Sequence, residues 1–106
     1  MAKMVFLGCY APDSWKGIIG GSDRRAAIEA LLSETGGSLE SLMLTRGEFD
    51  VMAVVDMPDQ ATGIGVAMAI HASGAFTRIS LLEEIDVEAA VAVAQKAVAA
   101  YKPAGS

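Results

Sequence analysis

The sequence predicts an α+β fold, in which a four-stranded antiparallel sheet carries helices on one face. Apolar runs rich in Val, Ile and Phe alternate with runs typical of helices, and Gly, Pro and Asp separate them. Two of the apolar runs, within residues 38–57, flank the short turn Arg46-Gly47-Glu48, which indicates a β-hairpin. The length of 106 residues suits one domain, which we expect over residues 1–102, followed by a frayed tail at 103–106.

The part of the chain before the hairpin predicts a strand, a loop and a helix. Residues 4–10 form a short apolar run with Val, Phe and Tyr, and residues 11–21 contain Pro, Asp and a Gly pair, so we expect a strand and then a loop. Ser22 or Asp23 can cap the helix that follows, and the pair Gly36-Gly37 is a typical helix terminator.

The part after the hairpin predicts a helix, a strand and a last helix. Pro58-Asp59 opens a helix that continues to about residue 72, residues 75–82 have the composition of a strand, and residues 87–101 are mostly Ala and Val. The order strand, helix, strand, strand, helix, strand forms two split βαβ halves, and right-handed crossovers favour the ferredoxin-like arrangement for it. The last helix is an addition to that βαββαβ unit.

The sheet is predicted to be apolar on both faces. Side chains alternate between the two faces along the second hairpin strand. Phe49, Val51, Ala53 and Val55 are expected on one face, and Met52 and Val54 on the other. Helices that cover one face leave the other exposed to water. We therefore expect a homo-oligomer that pairs its open sheet faces, as in a dimeric α/β barrel, with Val54 facing the partner.

Composition excludes several classes of partner. A net charge of -5 with only eight Lys and Arg argues against nucleic acid, because phosphate binding requires a basic patch. No apolar run approaches the roughly 20 residues that span a bilayer. The start Met-Ala-Lys has no apolar signal segment, so we expect the cytoplasm. With a hydrophobic fraction of 53%, the surplus of apolar surface indicates a protein–protein interface.

Four short motifs follow one another along the chain: CYAPDSWKG at 9–17, GGSLES at 36–41, GEFDV at 47–51 and VDMPD at 55–59. Together they resemble the GYD domain family of small bacterial and archaeal proteins, over residues 3 to 82. The family takes its name from a Gly, a variable residue, Tyr and Asp, and Phe49 stands here at the Tyr position. That difference removes a hydroxyl group.

The resemblance implies a ferredoxin-like fold and an oligomer similar to dimeric α/β-barrel proteins, and it implies no established activity. We expect a small-ligand-binding or regulatory module without a cofactor. The alternative is a dimeric α/β-barrel enzyme, such as a cofactor-light oxygenase, an isomerase or a haem-handling protein. Such an enzyme would use His71 or Asp50 as its acid or base.

Five side chains are candidates for a pocket: Tyr10, Trp15, Phe49, Asp50 and His71. The aromatic residues can form the walls of an apolar cleft between sheet and helices, and the carboxylate and imidazole can provide acid–base groups. Each also has a structural interpretation. The aromatic rings can close one end of the core, the carboxylate can accept backbone hydrogen bonds, and the imidazole can lie at a helix C-terminus as a surface group.

A second candidate site is an anion site formed by Ser22, Arg24 and Arg25, where backbone N–H groups at a helix N-terminus meet two cations. The alternative is that the arginines are solvated and pair with Glu29 on the helix surface. No metal site is expected, because Cys9 is the single cysteine, His71 is the single histidine, and no metal-ligand motif is present.

Overall fold

The computed structural model describes residues 2–105, which form four strands and four helices. In chain order these are β1 (Ala2–Tyr10), α1 (Pro12–Ile19), α2 (Arg24–Glu34), β2 (Ser38–Leu44), β3 (Val51–Met57), α3 (Gln60–Ala72), β4 (Phe76–Glu83) and α4 (Val87–Ala100). Met1 and Ser106, which the predicted domain and tail include, lie outside the described residues.

The four strands form one antiparallel sheet in the order β2-β3-β1-β4. Helices α2 and α3 are the two crossovers and lie on the same face, because residues of both line one cleft above the sheet. This is the ferredoxin-like arrangement, so the predicted fold class is confirmed. Helix α2 begins after Asp23, whose carboxylate accepts a hydrogen bond from the Ala26 N–H at 3.0 Å, and the chain leaves it through Gly36 at a φ of 82°.

The prediction of a loop over residues 11–21 is wrong, because α1 occupies most of that segment. Pro12 is the first residue of α1, where its missing N–H costs nothing, and Asp13 lies in the first turn, where its charge suits the helix dipole. Two hydrogen bonds tie the start of α1 to the Ala75 carbonyl, immediately before β4. They come from the Ala11 N–H at 2.9 Å and the Ser14 hydroxyl at 2.7 Å. The sequence predicted a loop because Pro and Gly, which the segment contains, are typical of loops.

The hairpin between β2 and β3 is present, but its loop is longer than the predicted turn. Thr45 closes the loop, since its N–H donates to the Asp50 carbonyl at 2.7 Å and its hydroxyl donates to the Phe49 carbonyl at 2.6 Å. Gly47 has the positive φ expected of it, 139°. Phe49 therefore belongs to the loop, and its predicted place in the strand is wrong.

The core lies between the sheet and helices α2 and α3. Its buried members are apolar and come from β1, α2 and β3: Met4, Leu32, Ala53, Val55 and Met57. The side chains of β3 alternate as predicted, because Val51, Ala53 and Val55 are buried while Met52 and Val54 lie on the opposite face.

That opposite face of the sheet, which we call the open face, is covered by none of the described helices. Its centre is apolar, because Val5 pairs with Val54 and Leu7 pairs with Met52 across the neighbouring strands. Ion pairs lie at its two ends, between Lys3 and Glu40 at 3.2 Å and between Arg78 and Glu48 at 3.1 Å. An apolar centre with a charged rim is the anatomy of a protein interface.

Helix α4 also lies apart from the rest of the chain. All of its residues are exposed, and the molecule measures 60 Å along its longest axis against 31 and 22 Å along the others. The helix is present where the sequence predicts it, and Asp86 caps it by accepting from the Ala89 N–H at 3.1 Å. It does not fold back over the open face.

Candidate functional site

An apolar cleft of about 200 Å³ lies between α2 and α3, with the sheet as its floor. Apolar side chains form its floor and walls, among them Met4, Phe6, Ile28, Val55 and Val66. Small residues of the two helices also line it, so the helices leave space between them. An apolar, concave site of this kind is typical of small-molecule binding.

Polar groups are confined to one end of the cleft. Tyr10 is the last residue of β1, Arg24 is the first residue of α2, and Ser73 follows α3 directly. These three positions meet at one end of the sheet because Tyr10 pairs with Phe76 at the start of β4. We call this group of Tyr10, Arg24 and Ser73 the polar end of the cleft.

Tyr10 is the most constrained side chain of the polar end, with only 6% of its surface exposed. Its ring stacks on Phe76 at a centroid distance of 4.8 Å and meets the edge of Trp15 at 5.3 Å. Burial raises the pKa of the Tyr10 hydroxyl above its ordinary value, although the positive charge of Arg24 opposes that shift. The hydroxyl is therefore a protonated donor at neutral pH, and Trp15 contacts the cleft through this ring.

Arg24 is the only charged residue among the described residues that line the cleft. Its side chain is partly buried, and its Nη2 and Nε donate to the Ser22 hydroxyl at 2.7 and 3.1 Å. Arg25 instead pairs with Glu29 at 3.6 Å on the outer surface of α2. Of the three residues of the predicted anion site, Ser22 and Arg24 lie together and Arg25 makes the surface pair that was its alternative.

Asp50 is used to hold the backbone of β1. Its Oδ2 accepts a hydrogen bond from the Tyr10 N–H at 2.9 Å, and its own N–H donates to the Gly8 carbonyl at 2.8 Å. The register between β1 and β4 shifts between Cys9 and Tyr10, at the point where this carboxylate binds. Asp50 thus fixes the position of Tyr10 through the Tyr10 backbone, and it does not line the cleft itself.

The remaining two pocket candidates lie outside the lining of the cleft. The ring of Phe49 lies under the Arg78 guanidinium, 4.6 Å from its centroid, at the end of the open face. His71 is exposed in the last turn of α3. Sequence reasoning did not assign Ser73 and Phe76 to the site, because a helix break and a strand start give no sign that they face a cleft.

Two kinds of feature are absent from residues 2–105. No three His, Cys, Asp or Glu side chains come close enough together to hold a metal ion. None of the helices formed by these residues has both the length and the hydrophobicity needed to cross a bilayer.

The comparison with protein families settles the relationship that the motifs indicate. The model of the GYD domain matches residues 4–94. The chain belongs to the GYD domain family. The match to the GYD domain continues past residue 82, where the resemblance seen in the sequence ends, and includes the first half of α4.

Comparison with solved structures supports the fold. The protein described as "crystal structure of FFRP-DM1" is similar to this GYD domain chain with a TM-score of 0.53 and 16% identity, over 80% of this chain and 100% of that one. At that identity the likeness shows a shared fold alone. No curated protein sequence matches the chain.

Proposed function

We propose that this GYD domain protein is a cytoplasmic, homo-oligomeric module that binds a small molecule in the cleft between α2 and α3. The observation that carries the proposal is the cleft itself, which is apolar along its floor and has its polar groups at one end. A filled interior would have favoured a purely structural role.

Binding is favoured over catalysis by the positions of the two acid–base candidates. His71 is exposed and lies outside the lining of the cleft, and the Asp50 carboxylate is occupied by the Tyr10 backbone. An acid or base must come within hydrogen-bond reach of the group it serves. Neither side chain lies where a molecule in the cleft would meet it.

Self-association is the second part of the proposal, and the open face supports it. Met43 and Leu82, at the margins of that face, are each 50% exposed although they are large and apolar. Pairing two open faces would remove this surface from water, at about 25 cal/mol for each Å² of apolar area. A copy of the same chain presents the same apolar centre, as a two-fold interface requires.

The cleft is tested with a neutral naphthylamine dye, which fluoresces on entering an apolar site. We expect saturable binding to the natural chain, and weaker binding by about tenfold or more after Ala67→Leu, because Ala67 lines the cleft. The control is Ala69→Leu, on the same helix and exposed, which should bind the dye as the natural chain does. Equal binding by both variants, or no binding by the natural chain, contradicts the proposal.

A further inference from the structure

We propose that the ligand of the cleft is an apolar molecule with a single carboxylate, held at the polar end by Arg24 and Tyr10. This inference rests on the proposed function, since it specifies what the cleft binds. The proposed ligands are monocarboxylates of modest size, whose hydrocarbon body lies along the apolar floor between α2 and α3.

The charge of the cleft determines the sign of the ligand. Arg24 lines it, and no Asp or Glu is among the described lining residues, so the cleft carries one positive charge without an acidic partner inside it. Apolar walls lower the local dielectric and strengthen the attraction between a guanidinium and an anion. Nε and one N–H of Nη2 of Arg24 donate to Ser22, and the remaining N–H groups of Nη1 and Nη2 can hold the two oxygens of a carboxylate with two parallel hydrogen bonds.

The Tyr10 hydroxyl is the second group that points to a ligand. The side chain is only 6% exposed, it lines the cleft, and its hydroxyl forms no hydrogen bond with another described residue. Because no enclosed side-chain oxygen of the described residues lacks a partner, this hydroxyl still reaches solvent, and a ligand oxygen at the polar end would replace the water that it binds. Together Tyr10 and Arg24 offer donors to both oxygens of one carboxylate.

The number of charges and the volume limit the ligand further. One guanidinium neutralises one negative charge, so a dianionic phosphate ester would leave a charge uncompensated beside apolar walls. A cleft of about 200 Å³ equals the volume of roughly seven water molecules at about 30 Å³ each. This space suits a medium-chain or aromatic acid and excludes a large cofactor.

The test compares three molecules of one chain length, octanoate, octanol and octylamine, as competitors of the neutral dye. We expect octanoate to displace the dye at a concentration about tenfold or more below that of octanol, and octylamine to be weakest. Trp15 is the only tryptophan and contacts Tyr10, so its emission should change with octanoate. Equal displacement by all three molecules would overturn the inference.

Two variants separate the inference from the proposed function. With the dye titrated anew on each variant, Arg24→Gln should abolish the preference for octanoate over octanol. Tyr10→Phe should weaken the binding of octanoate severalfold relative to that of octanol. The matched control is Arg25→Gln, since Arg25 pairs with Glu29 away from the cleft and its loss should preserve the preference. If the natural chain binds the dye but Arg24→Gln retains the preference for octanoate, the carboxylate assignment fails and the proposed function stands. If the natural chain does not bind the dye, the carboxylate assignment and the proposed function both fail.

A separate observation, the exposure of α4, carries a second inference: we infer that α4 pairs antiparallel with α4 of a second copy of this chain. Every residue of α4 is exposed, yet Glu88, Gln95 and Lys96 are its only polar members. A helix that is apolar nearly all round is typical of a buried one, and an isolated helix of 14 residues is marginal in water. This helix therefore requires a covering surface.

The apolar residues of α4 contain a seam with the spacing of paired helices. Its members within the helix are four, three and four residues apart, which places them on one stripe: Val87, Val91, Ala94 and Val98. Val93 is equally apolar and lies off that stripe. Ala94 lies near the middle of α4 and is small enough to let two helices approach closely.

The charges at the two ends of α4 identify the partner as another α4. Asp86 and Glu88 make its start acidic. Lys96, two residues after Ala94 and so on the side of the helix away from the seam, and Lys102, beyond the helix, make its end basic. An antiparallel pair centred on Ala94 brings each acidic end to the basic end of the other copy, whereas a parallel pair would bring like charges together. A length of about 21 Å makes this contact small, so it adds to the open-face interface instead of replacing it.

Cysteine cross-linking in a Cys9→Ser background tests the geometry of the α4 pair. Ala94→Cys, near the middle of α4, should form a disulfide-linked dimer on mild oxidation. Val87→Cys, at one end, should not, because an antiparallel pair places the two copies of residue 87 about 21 Å apart. Cross-linking at both positions would indicate a parallel pair, and cross-linking at neither would indicate another covering surface; either result overturns the inference.

The strength of association provides an independent test of the α4 pair. Val91→Glu places a charge in the seam and should weaken association by about tenfold or more, measured by analytical ultracentrifugation. Val93→Glu introduces the same charge off the seam and should associate as the natural chain does. An identical result for the two variants overturns the inference.

Discussion

At the scale of single residues, the hydrogen bond between Asp50 and Tyr10 joins the hairpin loop to the cleft. The carboxylate binds the backbone N–H of Tyr10 at 2.9 Å, and the Tyr10 side chain in turn lines the site. The family motif therefore contributes to the cleft without entering it. Phe49, at the position where the family name has Tyr, packs against Arg78 on the open side of the sheet, so the missing hydroxyl leaves the cleft unchanged.

Replacing Asp50 should lower stability because it leaves a partly buried N–H group without an acceptor. For Asp50→Ala we expect the free energy of unfolding to fall by about 1–3 kcal/mol, measured by urea denaturation. Asp50→Asn keeps an acceptor oxygen and should cost less than about 1 kcal/mol. If Asp50→Ala were as stable as the natural chain, the carboxylate would have no structural role. The alternative, in which Asp50 is an acid or base, would then be favoured.

At the scale of elements, the two glycines of α3 have opposite surroundings. A Cβ atom added at Gly63 would overlap the side-chain sulfur of Met4 and lie 3.3 Å from the Met57 Cγ. A Cβ atom added at Gly65 would have no atom within 4 Å. Gly63 thus permits α3 to approach the sheet at the apolar end of the cleft, whereas Gly65 faces open space.

Alanine at these two positions should change stability in opposite directions. Gly65→Ala should raise the free energy of unfolding by about 0.5–1 kcal/mol, because alanine favours the helix and constrains the unfolded chain. Gly63→Ala has the same propensity gain but overpacks the core, which typically costs about 1–3 kcal/mol, so we expect it to be the less stable variant. Thermal and urea unfolding of both variants measure the difference. If Gly63→Ala were as stable as Gly65→Ala, the Met4 side chain would move aside without lowering the free energy of unfolding, and the prediction would be wrong.

The elements also show what the sequence could and could not predict. Alternation along β3 predicted correctly that Val54 and Val55 lie on opposite faces, since a strand has a fixed period of two. Helix α1 was missed because Pro12 and Gly17 are typical of loops, and the contacts of Ser14 and Trp15 that stabilise it come from distant parts of the chain. The same reason explains the site: the grouping of Tyr10, Arg24 and Ser73 depends on which strand ends meet.

At the scale of the whole molecule, two apolar surfaces are without cover within the described chain, the open face and helix α4. They differ in kind, because the open face is part of a stable sheet while α4 has no neighbour of its own. A chain of this size leaves much apolar surface exposed when alone. Association through the open face is the step that would remove most of this surface, and α4 would extend it.

Val54→Lys tests the open face directly. Val54 lies at its centre opposite Val5, so a lysine there would place two like charges against apolar surface in a pair of open faces. We expect the natural chain to be oligomeric and the variant to have the mass of a monomer by light scattering at micromolar concentration, with an unchanged far-UV circular dichroism spectrum. The variant should stay folded because the introduced ammonium group would lie in water in the monomer. Val93→Lys, exposed on α4 and off its seam, is the control and should remain oligomeric.

A monomeric natural chain, or an oligomeric Val54→Lys variant, contradicts the open-face assembly. Unfolding of the Val54→Lys variant would show that the face assignment of β3 is reversed.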